Sequence, residues 1–443
     1  MDKNDLLEIL QDWNFWNKEL ETGKERKGYT EKCLSLLRTN VIAAIIGVRR
    51  SGKSYLMRQV IKELIQKGSE RKNILMVNFE DKRFAEFYPK ILDEIYETYS
   101  EFLKPDANQF IFLDEIHNVP KWEKWARTMQ ELGKAKIIVS GSSSDLLAGE
   151  LATVLTGRHL DIIVFPLSFK EFLYFKSLEI KNELDIITKK IEIKRFLNEY
   201  FEFGGFPEVV LSGEKKQLLL TYFDDMLTKD IEKRYILRKS EKLRALARFY
   251  LTNISNTVTF NSLKKFLGTT TNTIEKFSSY LEEANILFFI KRFSFKVKEQ
   301  ENAARKIYCI DVGLANSVGF KFSSNFGRIA ENIVALELKK QGRFENIEMY
   351  YWENVRHEEV DFVVKQGSKI KQLLQVCWDI NEYKTKEREV KSLLKASEEL
   401  KCSNLLIITQ DYESEERIKG RKIRFMPLWR WLLKTHGARA ITA

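Results

Sequence analysis

Short apolar blocks separated by charged stretches fill the first 165 residues, and the spacing turns helical beyond them. Residues 41–46 form an unbroken apolar run, and in 55–66 Leu56, Val60, Leu64 and Ile65 recur on one helical face. Further blocks at 74–79, 109–113 and 136–139 have the length and continuity of strands buried on both faces, as in a parallel sheet. From 166 to about 228 the spacing is helical and broken once, at Gly204-Gly205-Phe206-Pro207, which reads as a lid or connector. Three helices follow at 241–255, 259–267 and 271–283, then strands at 286–295 and 305–310. The remainder predicts a helix at 328–341, strands at 349–352, 359–364 and 373–377, a helix at 387–400, a strand at 404–409 and a short aromatic helix at 426–433.

The first strand runs into Gly47-Val48-Arg49-Arg50-Ser51-Gly52-Lys53-Ser54, which fits the phosphate-cradling pattern GxxxxGK[ST]. Its glycines let backbone N–H groups curl round a phosphate, and the helix that begins there adds its partial positive charge. In this reading Lys53 reaches the β- and γ-phosphates of ATP and the Ser54 hydroxyl ligates Mg2+. The nucleotide-binding set is therefore Gly47, Val48, Arg49, Arg50, Ser51, Gly52, Lys53, Ser54 and Tyr55.

The run 109–113 ends in Asp114-Glu115, a Walker B pattern: Asp114 for the metal, Glu115 to polarise the attacking water. The strand 136–140 ends in serines, so Ser140 or Ser142 can sense the γ-phosphate; the bland alternative is a helix cap. Arg158 can act as an arginine finger on its own or a neighbour's nucleotide, or else pair at an interface. Glu80, Asp81 and Arg83 end another strand and can position water or nucleotide. The letters Asp114–His117 also suit a DExH helicase, but that reading needs a second RecA-like domain, and none is found.

Composition narrows the picture. The chain has 443 residues, about three domains at ~150 residues each, with 44% hydrophobic and 31% charged residues. Gly 20 and Pro 6 exclude collagen-like architectures. The acidic N-terminus is no signal peptide, and no apolar run reaches the ~20 residues of a membrane span, so a cytoplasmic protein is expected. Four separated cysteines and four histidines without ligand spacing indicate neither zinc nor a disulfide framework.

The net charge of +11 is uneven: residues 1–170 carry 26 basic and 25 acidic side chains, whereas 229–306 carry 17 and 8. That basic stretch contains the three helices and two strands, which is the winged-helix order. Thr271, Asn272, Thr273 and Lys276 at the start of its third helix, with Lys291 and Arg292 in the following strand, are its candidate DNA contacts. Winged helices also bind proteins, and charge is what tilts the expectation to nucleic acid. In the last segment Glu331 and Asp361 fit a metal-dependent nuclease scheme, but Gln375 and Cys377 stand where a carboxylate and a lysine are required. A nuclease fold without nuclease activity is expected.

The order GVRRSGKSYL, LDEIHNVPKWEKW, IIVSGSSSDLL, LTGRHLDIIVFPLSFKEFL and FGGFPEVV resembles the archaeal-type ATPases of the AAA+-like group. The tail segments YCIDVGLANSV, GRIAENIVALEL, YYWENVRHEEVDFVV and PLWRWLL resemble the C-terminal domain such ATPases carry. The resemblance implies ATP binding and hydrolysis, an embedded winged helix and a restriction-endonuclease-like terminal domain. The expected fold class is α/β: a P-loop parallel sheet, then an α+β winged helix, then an α/β nuclease-like domain. The expected partition is an N-terminal helical extension 1–38, ATPase core 39–165, lid or connector 166–228, basic winged helix 229–306 and degenerate nuclease-like domain 307–443. Two functions remain open: a DNA-associated ATPase that moves or remodels a duplex, and an ATP-driven switch that binds a protein partner. A homo-oligomeric ring is expected if Arg158 acts in trans.

Overall fold

The apolar runs of the first 165 residues become strands of one parallel sheet. These are β1 Ile42–Gly47, β2 Ile74–Asn78, β3 Gln109–Asp114, β4 Ala135–Gly141 and β5 His159–Val164, ordered β2-β3-β4-β1-β5. Every pairing is parallel. This is the computed structural model of the chain; it describes residues 2–141, 158–237, 240–319, 326–380 and 382–434. The chain divides into two compact units, Met1–Phe165 and Pro166–Ala443.

In the first unit both sheet faces are covered, as continuous apolar strands require. One face packs against Leu6 and Leu10 of α1 (Lys3–Trp13), with Ile95 and Tyr99 further along the chain. The other packs against Cys33 and Leu36 of α2 (Lys27–Leu37) and Leu56 and Val60 of α3 (Lys53–Gln66). The remaining helices are α4 (Ile91–Leu103) and α5 (Trp122–Glu131). Helices α1 and α2, expected in an N-terminal extension at 1–38, contribute buried residues to this core. The Asn14 side chain donates to Met76 O (2.8 Å) and accepts from Met76 N–H (2.7 Å), and Trp16 Nε1 donates to Ile74 O. Those bonds fill the open edge of β2, which an exposed sheet edge needs.

The second unit joins helices to one nine-stranded sheet. Its strands are β6 Thr257–Val258, β7 Leu287–Arg292, β8 Arg305–Cys309, β9 Ile347–Glu353, β10 Glu359–Gln366, β11 Lys369–Val376, β12 Leu405–Thr409, β13 Ser414–Ile418 and β14 Arg421–Pro427. Their order is β13-β14-β12-β11-β10-β9-β7-β8-β6. The expected boundary at 306/307 falls inside β8, and β7 pairs parallel with β9 through Lys291 and Arg292. The stretches read as separate modules 229–306 and 307–443 therefore share one sheet.

Three helices precede β7: α6 (Ser240–Thr252), Lys264–Leu267 after a 3-10 turn at Phe260–Leu263, and α7 (Thr271–Glu283). Two long helices, α8 (Phe326–Glu345) and α9 (Tyr383–Glu399), flank β9–β11 in sequence. The Gly-Gly break is an anchor: Gly205 N–H donates to Asp311 Oδ2 at 2.6 Å, and a Cβ on Gly204 would strike the Asp311 carboxylate. No helix among the described residues is long and apolar enough to cross a membrane.

Candidate functional site: the phosphate loop and its acids

Because the first sheet is parallel, the carboxyl ends of its strands share one edge, and loop 47–54 leaves β1 there. Gly47 is required: a Cβ at this position would lie 2.2 Å from the Val164 carbonyl oxygen of β5. Gly52 takes a left-handed conformation (φ 96°) and opens α3 with no side-chain cap. The first N–H groups of α3 are thus free of a capping side chain, the condition for gripping an anion. Arg50 is also left-handed, at φ 67°. Arg49 pairs with Glu80 at 2.9 Å, so Glu80 stands at the loop, while Asp81 is engaged with Arg83 and Trp13. Tyr55, just beyond the loop, is partly exposed, with the Arg58 guanidinium over its ring.

Lys53, Asp114, Glu115 and Ser140 converge at this edge and all four are buried. Lys53 Nζ donates to Gly47 O (3.3 Å) and lies 3.5 Å from Glu115 Oε1. Glu115 has φ 52°, a conformation costly for a side chain larger than glycine and characteristic of functional turns. Ser140 Oγ donates to Asp114 Oδ1 and accepts from the Glu115 N–H at 3.1 Å. The serine that the sequence offers as a phosphate sensor therefore orients the two acids. Burial, then the neighbouring Glu115 charge, pushes the Asp114 carboxyl up, against the opposing pull of Ser140, Ser54 and Lys53.

The donor set suits a Mg2+–nucleotide. Asp114 Oδ2 and Ser51 Oγ are buried without a hydrogen-bond partner, a state that costs free energy unless a ligand completes it, while Glu115 Oε2 lies 3.4 Å from His117 Nδ1. One carboxylate with a serine hydroxyl, the remaining ligands being phosphate and water, is the usual way Mg2+ is held.

Arg158 is not part of this assembly. Its carbonyl accepts from the Ile42 N–H, at the opening residue of β1, and its guanidinium pairs with Glu131 at the end of α5. Gly47 lies five residues along that strand, roughly 17 Å away at ~3.3 Å per residue. The finger reading for its own chain is corrected on this ground: parallel register sets Arg158 at the opposite edge of the sheet. Ser142 lies outside the described residues.

Of the candidate DNA contacts, Asn272 and Lys276 are exposed on α7, and Thr273 N–H and hydroxyl both meet Thr270 Oγ1 in the cap. Thr271 is half-buried in the first turn. Lys291 pairs with Glu301, and Arg292 is half-buried on β7.

In the same unit Glu331 and Asp361 come together, with an unforeseen partner. Lys306, the last of the basic residues of 229–306, is 1% exposed, with Nζ 2.9 Å from both Glu331 Oε1 and Asp361 Oδ1 and beside Glu359. Burial alone would lower its pKa, but the Asp361 and Glu331 charges outweigh that and hold the ammonium well above its usual value. Gln375 accepts from the Asp361 N–H and donates to Glu389 of α9. Burial pushes the Cys377 thiol up to about 12, so it stays protonated. An ammonium does stand at these acids, supplied by β8 and not by the position of Cys377.

Sequence reasoning also missed Arg26. It is 4% exposed, and its guanidinium Nη1 donates to Ser51 O in the phosphate loop and to Phe165 O. No motif marks it; it sits in a run of mixed charge that reads as solvated surface.

Residues 39–173 match the AAA domain, a P-loop ATPase domain, and the parallel sheet with its phosphate loop agrees with that class. Residues 194–325 and 326–431 match two domains of unknown function, DUF8612 and DUF4143. Along 428 residues the chain is 35% identical to the uncharacterized protein MJ1544 of Methanocaldococcus jannaschii, covering 94% of this chain and 93% of that protein. It belongs to the same family. An uncharacterized protein of Haemophilus influenzae is 29% identical over 412 residues, 91% of this chain and 98% of its own. Among solved structures, the Walker-type ATPase PABY2304 of Pyrococcus abyssi is similar at 13% identity with a TM-score of 0.43, over 66% of this chain and 95% of that one.

Proposed function

We propose that the chain is a Mg2+-dependent ATPase that couples ATP hydrolysis to binding or remodelling of DNA. The observation that carries the ATPase reading is the convergence of Lys53, Asp114, Glu115 and Ser140 in one buried polar nest beside the phosphate loop. Mg2+, when bound, supplies neutralisation of phosphate charge. Lys53 exchanges Gly47 O and Glu115 for phosphate oxygens, because a polyanion attracts the ammonium more strongly than a carbonyl. Glu115 Oε1 is thereby released to accept a proton from the attacking water. Ser140 meanwhile holds the Asp114 carboxylate and the Glu115 backbone, which keeps both acids aimed.

The DNA half rests on the order of helices before the β7–β8 pair, which is that of a winged helix, and on the basic excess of 229–306. Asn272 and Lys276 on α7 are the exposed contacts in this reading. A second reading, a nucleotide-controlled switch that binds a protein partner, is favoured by a different observation. Ile236, Phe266, Phe295 and Val297 in the same stretch are exposed apolar residues, and Lys229, Arg244 and Lys291 are paired with acids. The Lys306 cluster is read as structural, since its ammonium already lies between the acids. ATP turnover measured with and without duplex DNA, at two salt concentrations, separates the two functions. Salt-sensitive stimulation supports the DNA reading, and turnover indifferent to DNA supports the switch.

A further inference from the structure

Arg26 is a buried guanidinium in contact with backbone at two places that matter to the nucleotide site. Its Nη1 uses both hydrogens, one on Ser51 O at 3.1 Å and one on Phe165 O at 2.9 Å. Its own N–H donates to the side chain of Gln59 on α3 at 3.0 Å. The same Gln59 amide donates to Thr22 O and Lys24 O, so the segment before α2 is strapped to the helix that opens at Lys53. Tyr29 lies under the guanidinium, with Arg26 Cζ 4.4 Å from the ring centroid, and its hydroxyl accepts from the Phe165 N–H. Phe165 is thus held at both its backbone groups, at the last residue of the first unit.

The consequence for phosphate binding follows from peptide geometry. The Ser51 carbonyl and the Gly52 N–H are the two ends of one trans planar group and point in opposite directions. With the carbonyl drawn onto Arg26, the Gly52 N–H is turned away from Arg26. Gly52, at φ 96°, is free to accept that orientation. We infer that Arg26 is a positioning residue for the nucleotide: it aims the Gly52 N–H at phosphate and ties the loop to the end of the first unit at Phe165. ATP binding then stiffens the Phe165 exit, and the exit in turn biases the loop. This rests on the ATPase reading above and adds to it a residue and a route of regulation.

The test uses the full-length protein with Arg26→Met and Arg26→Lys, reading KM, kcat, melting temperature and amide hydrogen exchange at 165–170 with and without Mg2+–ATP. A lost charge-assisted hydrogen bond of this kind raises KM about tenfold in Arg26→Met, with kcat within about twofold of wild type. Arg26→Lys, cationic but one atom shorter, recovers part of the loss. Wild type shows ATP-dependent protection at 165–170, and Arg26→Met does not. Unchanged KM in either variant overturns the inference, and so does a KM that rises only in step with lost melting temperature. If Arg26→Met does not fold, Arg26→Lys decides alone, by a raised KM at an unchanged melting temperature. Failure of wild type itself to bind ATP overturns the ATPase reading instead, so the two failures are distinguishable.

Discussion

The Lys53 ammonium lies 3.5 Å from Glu115 Oε1, so the phosphate-binding cation and the proposed base are partners in the same buried nest. The pair gives Lys53 a defined place from which phosphate oxygens draw it. Lys53→Ala removes the ammonium assigned to the β- and γ-phosphates. ATP binding, followed by titration with a fluorescent nucleotide, is expected to fall by about a hundredfold or more, since a desolvated charge contact is worth several kcal/mol. Normal affinity in this variant would refute the assigned role of the loop.

Arg158 faces Glu131 at the far edge of the sheet, and both side chains are about half exposed. A surface pair of that kind contributes about 0.2–1 kcal/mol. Arg158→Ala is therefore expected to leave ATP turnover unchanged at every protein concentration and to lower the melting temperature only slightly. A loss of turnover that grows with concentration would restore the arginine as a finger acting between subunits.

The Lys306 cluster makes the opposite prediction. Removing one ammonium from among Glu331, Glu359 and Asp361 leaves buried acids without their counter-ion, a change that costs about 3–5 kcal/mol. Lys306→Met should destabilise the protein by that order in urea denaturation. The deficit should shrink as pH falls, because burial makes Glu331 and Glu359 bind protons more tightly in the folded state than in the unfolded one. A deficit that grows on acidification would contradict the assignment.

What was legible in the sequence follows from how local each signal is. The phosphate loop is one strand, one turn and one helix in sequence order, and Asp114-Glu115 close a single apolar strand, so both could be read directly. Helix α7 is legible at 271–283 because its apolar spacing lies within it, directly after the capping Thr270. Lys306 and Arg158 could not be read that way. In Arg305–Cys309 a lysine beside an arginine looks solvated, and the pairing of β7 with β9 and the packing of α8 on β8 bring the acids of other segments to it. Which edge of the sheet Arg158 occupies depends on the parallel register of β5 on β1. The β13–β14 hairpin was missed because Ser414–Ile418 alternates charge with partial burial at a sheet edge, without an apolar run. Arg26 was hidden for a third reason: its partners are backbone carbonyls, which carry no residue signature.

Asp311 provides a pH test in the second unit. Burial pushes its carboxyl up to about 7, although Gly205 and Gly313 N–H groups favour the charged form. An acid whose folded pKa exceeds its unfolded value of ~3.9 stabilises fully below that value and loses the contribution as pH rises through the folded pKa. Stability should therefore decline between pH ~4 and about 7, and Asp311→Asn should flatten that segment of the curve. The variant also loses one of two backbone hydrogen bonds, at a cost of about 1–3 kcal/mol at every pH. Equal pH slopes in the two proteins would refute the role given to this carboxyl.

The central claim is that the first unit hydrolyses ATP with Glu115 as the base. Phosphate release from Mg2+–ATP, measured for wild type and Glu115→Gln alongside nucleotide binding, tests it most directly. The amide keeps the shape of the side chain but cannot take a proton, so the variant should bind ATP as wild type does while turnover falls by about a hundredfold or more. A Glu115→Gln protein that hydrolyses ATP at the wild-type rate, or a wild type that binds ATP without hydrolysing it, contradicts the claim.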